Sequence, residues 1–161
     1  AFSMFANSGE VVEPTLIIDP DKTRDVHRVV SAPTASLVTQ MLRDAVLTGT
    51  GKQAEVAGYR VAGKTGTAEK PVPGGYSHSA NIASFAAVFP ADRPQYVVLI
   101  VLDSPKAAVG RGRTAAWNAA PTAGRVINRI APALGVEPYF DDPDRFENPL
   151  VRSVAERRGA L

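Results

Sequence analysis

The sequence contains no cysteine, which excludes disulfide bonds and thiolate zinc sites but does not distinguish an oxidising compartment from a reducing one. Long apolar runs are also missing. The longest, Tyr96 to Leu102, is far short of the roughly 20 residues that a membrane-spanning helix needs, and it is typical of a buried strand. Net charge is small, because 18 basic residues nearly balance 16 acidic ones. No basic stretch is interleaved with aromatic residues, so we expect no nucleic-acid partner.

The composition is that of an ordinary folded domain. The chain has 161 residues, of which 45% are hydrophobic and 21% charged. A chain of this length can bury close to ~70% of its extended-chain surface, so a real core is expected. The first residue is Ala1 rather than Met, and residues 1–7 have the character of an element's interior. We therefore expect a fragment of something longer.

Two helices are predicted in the first third of the chain. Residues 2–6 have helical spacing and are followed by Asn7-Ser8-Gly9, which predicts the last turns of a helix. Ser31 can cap a second helix with Pro33 in its first turn, and Gly49 ends it. The face of this helix predicted to be buried consists of Leu37, Val38, Met41, Leu42, Ala45 and Val46. The opposite, polar face consists of Thr34, Gln40, Arg43 and Asp44.

A last helix is predicted from Asn118, with Pro121 in its first turn, to Gly135. Its apolar residues should cover one face of a sheet. They are Ala119, Ala123, Val126, Ile127 and Ile130. Residues 136–161 are rich in Asp, Pro and Arg, and we expect a loosely ordered tail there.

Strand patterns occupy the middle of the chain. Tyr59 to Ala62 alternates and predicts a strand that continues into Gly63-Lys64-Thr65-Gly66-Thr67. Lys70 to Ser79 contains two prolines and two glycines, which predicts a loop. Ile82 to Phe89 and Gln95 to Leu102 flank a short turn and should pair as an antiparallel hairpin. An antiparallel sheet of at least three strands flanked by helices, an α+β fold, results.

Near the start of the chain, Val11 and Val12 and then residues 16–18 suggest extended structure, broken at Pro14 and ended by Asp19-Pro20-Asp21. His27 follows in a polar stretch. Because no second ligand lies at a suitable spacing, we expect His27 at the surface and no metal site.

Gly58 and Gly63-Lys64-Thr65 match the pattern of a P-loop, whose backbone and lysine bind nucleotide phosphates. The context opposes this interpretation. A P-loop follows a buried strand and opens a helix, whereas here a helix precedes Gly58 and a Pro-Gly segment follows Lys70. Nucleotide binding stays as the less favoured alternative.

Lys64-Thr65-Gly66 is also the lysine-threonine-glycine signature of active-site-serine penicillin-binding proteins and class A β-lactamases. The flanking residues strengthen this match in order and spacing, and together they closely resemble class B penicillin-binding proteins, most of all the division-type members. These residues are Gly49 to Lys52, Tyr59 to Ala68, Tyr76-Ser77, Ala83 to Ala86, Pro90-Ala91 and Val97 to Asp103 with Pro105-Lys106. The resemblance covers residues 1–135, as the C-terminal part of the transpeptidase domain and of a β-lactamase/transpeptidase-like fold.

From the residues alone, an exposed edge strand at Lys64 to Thr67 offers peptide groups with which an extended peptide can pair. Gly66 permits close approach of the incoming backbone, and the threonines can present hydroxyls to a terminal carboxylate. The resemblance implies finer roles: Lys64 assists proton transfer around a serine, Thr65 and Thr67 contact the substrate carboxylate, and the Thr67 amide completes the oxyanion hole.

The resemblance also implies a serine D,D-transpeptidase that cross-links peptidoglycan at cell division. Its expected partners are peptidoglycan stem peptides, β-lactam antibiotics as covalent inhibitors, the remainder of the same protein and cell-wall synthesis or division proteins. Its expected location is periplasmic, in a protein anchored to the inner membrane. An elongation-type member stays possible, and no metal or organic cofactor is implied, because acyl transfer needs only serine, base and oxyanion donors.

The family's nucleophile is a serine three residues before a lysine, and no serine of this chain has a lysine at that offset. We therefore expect the nucleophile to precede Ala1 and this fragment alone to be inactive. Ser79-Ala80-Asn81 spells the family's serine-x-asparagine element but follows the lysine-threonine-glycine strand instead of preceding it, so we assign these residues to a loop and the start of a strand. A D,D-carboxypeptidase, a β-lactamase or a β-lactam-binding sensor remain alternatives.

Overall fold

A computed structural model describes residues 1–17, 24–107 and 112–140. Its helices and strands, in chain order, are α1 (Phe2–Ala6), β1 (Glu10–Val12), β2 (Val26–Arg28), α2 (Ala32–Leu47), β3 (Ala62–Val72), β4 (Gly75–Phe89), β5 (Tyr96–Asp103) and α3 (Ala119–Ala133). No helix in these ranges is both long enough and apolar enough to cross a membrane.

The main sheet has three antiparallel strands in the order β3-β4-β5, as predicted. In its register Lys64 lies opposite Ala86 and Gly66 opposite Ser84, while Phe85 also pairs with Ile100 of β5. Because β4 is central, β3 is an edge strand within the described ranges. The sequence prediction of an α+β fold with an antiparallel sheet is confirmed.

The core lies between α3 and one face of this sheet. Alternate residues of β4, Ala83, Phe85, Ala87 and Phe89, are fully buried, because successive strand residues point to opposite faces. They share one apolar cluster with Ala123 and Ile127 of α3, and helix α3 covers one sheet face as predicted. Of the residues predicted to be buried on α3, Ala119, Ala123 and Ile127 are buried, whereas Val126 and Ile130 are only partly so.

Helix α2 begins as predicted, since the Ser31 hydroxyl accepts a hydrogen bond from the Thr34 amide at 3.3 Å. The prediction that Arg43 lies on its exposed face is wrong: Arg43 is only 4% exposed, whereas Met41, predicted to be buried, is 58% exposed. The buried face consists of Ala35, Thr39, Arg43 and Val46. A buried guanidinium is tolerated only with partners, and Arg43 has them in the Glu55 carboxylate and the Val61 carbonyl.

Two strand boundaries also differ from prediction. Tyr59 lies in a turn, and Arg60 follows it with a φ of 41°, so β3 begins only at Ala62. The prediction of a loop from Lys70 to Ser79 is wrong, because β3 and β4 continue through it as a two-stranded ribbon. A register shift between Glu69 and Pro71 admits the proline on an edge strand. Pro73 and Gly74 make the turn, and Gly74 has a positive φ.

At the start of the chain, residues 2–6 are helical as predicted, and Val11 and Val12 pair with β2. His27 is exposed. Leu16 and Ile17 are exposed and outside any strand, while residues 18–21 of the predicted extended segment lie outside the described ranges.

At the other end, the first residues of the predicted tail contact the domain. Val136 is buried, the Tyr139 amide donates to the Gly58 carbonyl at 2.8 Å, and the Arg60 guanidinium lies 4.5 Å from the centre of the Tyr139 ring. Residues 141–161 lie outside the described ranges.

Candidate functional site

The residues Lys64 to Thr67 lie near the start of edge strand β3, with Thr65 opposite buried Phe85 and Thr67 opposite buried Ala83. Paired residues point their side chains to the same face of a sheet, so the threonines face the core side and Lys64 and Gly66 the other. This strand continues to Val72 and does not open a helix. The P-loop interpretation therefore does not fit the local structure.

The sequence folds this way locally for two reasons. Threonine is β-branched and suits a strand. The two glycines let β3 approach β4: a Cβ atom on Gly63 would lie 2.6 Å from the Ala86 carbonyl oxygen, and one on Gly66 would lie 2.6 Å from the Ser84 hydroxyl oxygen. A side chain at position 66 would thus clash with a neighbour in its own sheet, a reason for glycine that the sequence did not indicate.

Lys64 bends around the free edge of β3. Its exposed ammonium donates to the Thr65 carbonyl at 3.1 Å and to the Thr65 hydroxyl oxygen at 3.2 Å. Because the Thr65 carbonyl accepts this ammonium at the edge of the sheet, it points away from β4. Because the peptide groups of alternate residues point to the same side of a strand, the Thr67 amide also faces the free edge.

A third side chain joins Lys64 and Thr65. The Thr50 hydroxyl, in the turn after α2, lies 2.8 Å from the Thr65 hydroxyl. We call Thr50, Lys64 and Thr65 the hydroxyl cluster. The sequence predicted a helix stop at Gly49 and gave Thr50 no role. The signal available was that Gly49 to Lys52 is part of the family-like pattern.

Thr67 is hydrogen-bonded to a different part of the chain from the hydroxyl cluster. Its hydroxyl oxygen accepts a hydrogen bond from the Ala115 amide at 3.1 Å, which fixes β3 to the short 3-10 turn Ala115–Trp117 before α3. The side chains of Thr67, Glu69, Asn81 and Arg113 line a small open cavity at this place. Thr67 therefore joins the free edge of the strand to the segment that enters the last helix.

Ser79, which we had assigned to a loop, and Asn81, which we had assigned to the start of a strand, both lie inside β4. The Asn81 side-chain amide donates to the Arg113 carbonyl at 3.0 Å, and the Asn118 side chain donates to the same carbonyl at 2.9 Å. The Arg113 guanidinium donates in return to the Ser79 carbonyl. These residues brace the segment 113–118 against the ribbon.

The base of the ribbon is tied to the end of β5 by an ion pair. Lys70 Nζ lies 2.6 Å from the Asp103 carboxylate and 3.3 Å from the Ser104 hydroxyl. The hydrogen bond from Lys70, then that from Ser104, lowers the pKa of Asp103 below its ordinary value. The ion pair therefore favours the ionised form of Asp103.

The arrangement is suited to gripping an anionic, extended ligand. The Lys64 ammonium, the hydroxyls of Thr50 and Thr65 and the outer edge of β3 lie close together in space. Among the described residues no group of three or more His, Asp or Glu side chains is placed to hold a metal ion.

Comparison with known proteins gives consistent matches. The family model for the penicillin binding protein transpeptidase domain matches residues 1–127. The chain is 42% identical over 149 residues to the probable peptidoglycan D,D-transpeptidase FtsI of Caulobacter vibrioides, which covers 85% of this chain and 25% of that protein. It is 37% identical to stage V sporulation protein D of Bacillus subtilis, covering 86% of this chain and 23% of that protein.

Solved structures agree. Penicillin-binding protein 3 of Mycobacterium tuberculosis, in complex with ampicillin, matches with a TM-score of 0.74 and 36% identity over 89% of this chain and 35% of that one. The transpeptidase domain of penicillin-binding protein 3 from Burkholderia pseudomallei matches with a TM-score of 0.75 and 33% identity, over 88% of this chain and 42% of that one. The chain thus spans about a quarter of the length of the curated relatives above.

Proposed function

The chain belongs to the penicillin-binding protein transpeptidase domain family, and from that premise we propose that it is the substrate-gripping part of a serine D,D-transpeptidase that cross-links peptidoglycan stem peptides at cell division. The observation that carries this proposal is the free edge of β3 at Lys64 to Thr67, with its peptide groups and the Lys64 ammonium on one side.

The stem peptide binds as an added strand along this edge. An extended peptide gains main-chain hydrogen bonds from the outward peptide groups of Thr65 and Thr67, and its terminal carboxylate is met by the hydroxyls. Gly66 belongs to the same binding strand. We assign substrate binding to Thr65, Gly66 and Thr67.

The catalytic roles go to Lys64 and Thr67. A serine oxygen attacks the carbonyl of the terminal D,D-peptide bond, the carbonyl oxygen becomes an oxyanion, and the C–N bond then breaks to release the terminal residue as an amine. The outward Thr67 amide is the donor to that oxyanion, and Lys64 assists the proton transfers around the serine. The acyl group then passes to the amine of a second stem peptide.

The nucleophilic serine is supplied by the rest of the same protein, because no serine here stands three residues before a lysine. This chain alone is inactive in our proposal. We further propose that the complete domain is acylated by β-lactams, that it acts in the periplasm in a protein anchored to the inner membrane, and that it works with other cell-wall synthesis or division proteins.

Labelling of the full-length protein with a fluorescent penicillin tests the proposal, followed by an assay of cross-linking between stem peptides. We expect wild type to be labelled and to cross-link. Lys64→Ala and Thr67→Pro should label at least ~100-fold more slowly, the second because proline has no amide hydrogen. Wild-type labelling rates in both variants contradict the assigned roles. Labelling without cross-linking would instead indicate a carboxypeptidase or a sensor, and covalent labelling of the 161-residue chain alone would show that the nucleophile lies within it.

A further inference from the structure

We propose that Thr50 is a positioning residue that points the proton of the Thr65 hydroxyl at the substrate carboxylate. This inference rests on the proposed function above, and it adds to that function a residue outside the lysine-threonine-glycine strand. Its basis is the geometry of the hydroxyl cluster, in which Thr65 Oγ1 lies 2.8 Å from Thr50 Oγ1 and 3.2 Å from Lys64 Nζ.

The argument begins with what a hydroxyl can do. It has one hydrogen to donate and two lone pairs that accept. An ammonium only donates, so Lys64 occupies one lone pair of the Thr65 oxygen. Between Thr50 and Thr65 either hydroxyl can donate, which leaves two arrangements of the cluster.

In the first arrangement Thr65 donates to Thr50, and its only hydrogen is then unavailable to a ligand. In the second, Thr50 donates to Thr65. Both lone pairs of Thr65 are then filled, by Lys64 and Thr50, and its hydrogen is left for a partner outside the cluster. A carboxylate only accepts, so its binding selects the second arrangement.

Thr50 therefore has a defined task when a carboxylate binds. By donating to Thr65 it occupies the lone pair that would otherwise be directed at the anion, and it turns the Thr65 hydrogen towards the ligand. Thr50 lies in the turn after α2 and is exposed, so this task does not depend on a place in the core. Without the Thr50 hydroxyl, Lys64 alone bonds the Thr65 oxygen, and the Thr65 hydrogen can take more than one position and must be ordered on binding.

The experiment uses the full-length protein and measures the second-order rate of acylation by a penicillin. Thr50→Val keeps the shape and removes the hydroxyl, and Thr50→Ser keeps the hydroxyl. We expect about a three- to tenfold slowing in the valine variant, the size of one ordinary hydrogen bond, and a rate near wild type in the serine variant. Thr48→Val is the matched control, because its hydroxyl bonds only the Asp44 carbonyl of the helix end among the contacts described.

Two further measurements separate positioning from a general loss of structure. In a Thr65→Val background the Thr50→Val change should have no further effect, because the hydroxyl on which it acts is gone. With a penicillin whose carboxylate is esterified, Thr50→Val and wild type should react at the same rate. Equal slowing in the Thr65→Val background, or a Thr50→Val variant as fast as wild type on the free acid, overturns the proposal for Thr50.

These results are distinguishable from failure of the proposed function. If the wild-type protein is not acylated by any penicillin, the transpeptidase assignment fails and the role of Thr50 fails with it. If wild type is acylated and Thr50→Val is indistinguishable from it, only the role of Thr50 is wrong.

Discussion

Gly66 offers a test between two reasons for a glycine in the strand to which we assign substrate binding. The sequence suggests that glycine lets the substrate backbone approach. The structure supplies another reason, since a Cβ atom there would lie 2.6 Å from the Ser84 hydroxyl oxygen, about 1 Å closer than ordinary contact, but 4.0 Å from the Ser84 Cβ atom. The clash is therefore with one oxygen atom, and Ser84→Ala removes it.

We expect Gly66→Ala to cost about 1 kcal/mol in stability, because the Ser84 hydroxyl can rotate away and gives up only a 3.4 Å hydrogen bond to the Gly66 carbonyl. The double variant with Ser84→Ala should regain this stability. Melting of the full-length protein measures the first quantity, and penicillin acylation measures function. Our steric reasoning is refuted if the double variant melts no higher than Gly66→Ala alone. If the double variant melts like wild type but is acylated slowly, close approach of the substrate backbone is also a reason for glycine at position 66.

Gly63 on the same strand is the matched contrast. A Cβ atom there would lie 2.6 Å from the Ala86 carbonyl oxygen and 2.6 Å from the ring of fully buried Phe85. Neither can rotate away, so Gly63→Ala should cost about 3 kcal/mol. At ~2–4 °C per kcal/mol, melting should fall by about 6–12 °C. Melting within a degree or two of wild type would show that β3 and β4 separate easily, contrary to the close pairing described here.

Two other predictions concern the ion pairs. Arg43→Met removes the partner of Glu55 and the donor to the Val61 carbonyl. Because Glu55 is about a third exposed and can regain water, we expect urea unfolding to show a destabilisation of about 2–3 kcal/mol. Glu55→Gln should cost less, and equal effects of the two variants would count against this assignment. Lys70→Met should raise the pKa of Asp103 back towards its ordinary value, as read from an NMR titration of the carboxyl carbon. Since that pKa is lowered in the folded state, the stability that the ion pair contributes is present above pH ~4 and is lost as pH falls further. This loss of stability should be smaller in Lys70→Met. An Asp103 titration that is the same in Lys70→Met and wild type would disprove the prediction.

The sheet and the two long helices were predictable because their patterns are local. β5 contains the apolar run Tyr96 to Leu102, although Val97, Leu99 and Val101 are exposed and the prediction of a buried strand is therefore wrong for them. The caps at Ser31 and Asn118 and the prolines in the first helical turns mark where helices begin. The ribbon from Lys70 to Ser79 was not predictable from propensity. Its prolines and glycines disfavour a strand locally, and pairing with a neighbouring strand and a register shift compensate for this.

Arg43 shows the same limit inside a helix. An arginine among apolar residues is normally placed on the exposed face, and only the positions of Glu55 and Val61 after folding make its burial favourable. The candidate site was also only partly predictable from the sequence. The strand bearing Lys64 to Thr67 was found from sequence, but the contact between Thr50 and Thr65 joins residues 15 apart and depends on how the turn after α2 meets β3.

The geometry of a strand also explains why four consecutive residues can serve different tasks. Side chains alternate between faces, so Thr65 and Thr67 lie beside the core face while Lys64 and Gly66 lie on the other. Peptide groups alternate between edges, so those of Thr65 and Thr67 face the free edge, where the Thr65 carbonyl accepts the Lys64 ammonium, while those of Gly66 face β4. The Thr67 hydroxyl accepts a hydrogen bond from the Ala115 amide, and by the same alternation the Thr67 amide faces the free edge. A change of the Thr67 side chain and the loss of its amide are therefore separable perturbations. Thr67→Val should loosen the segment before α3 while keeping the amide that we propose as the oxyanion donor, whereas Thr67→Pro removes that amide hydrogen.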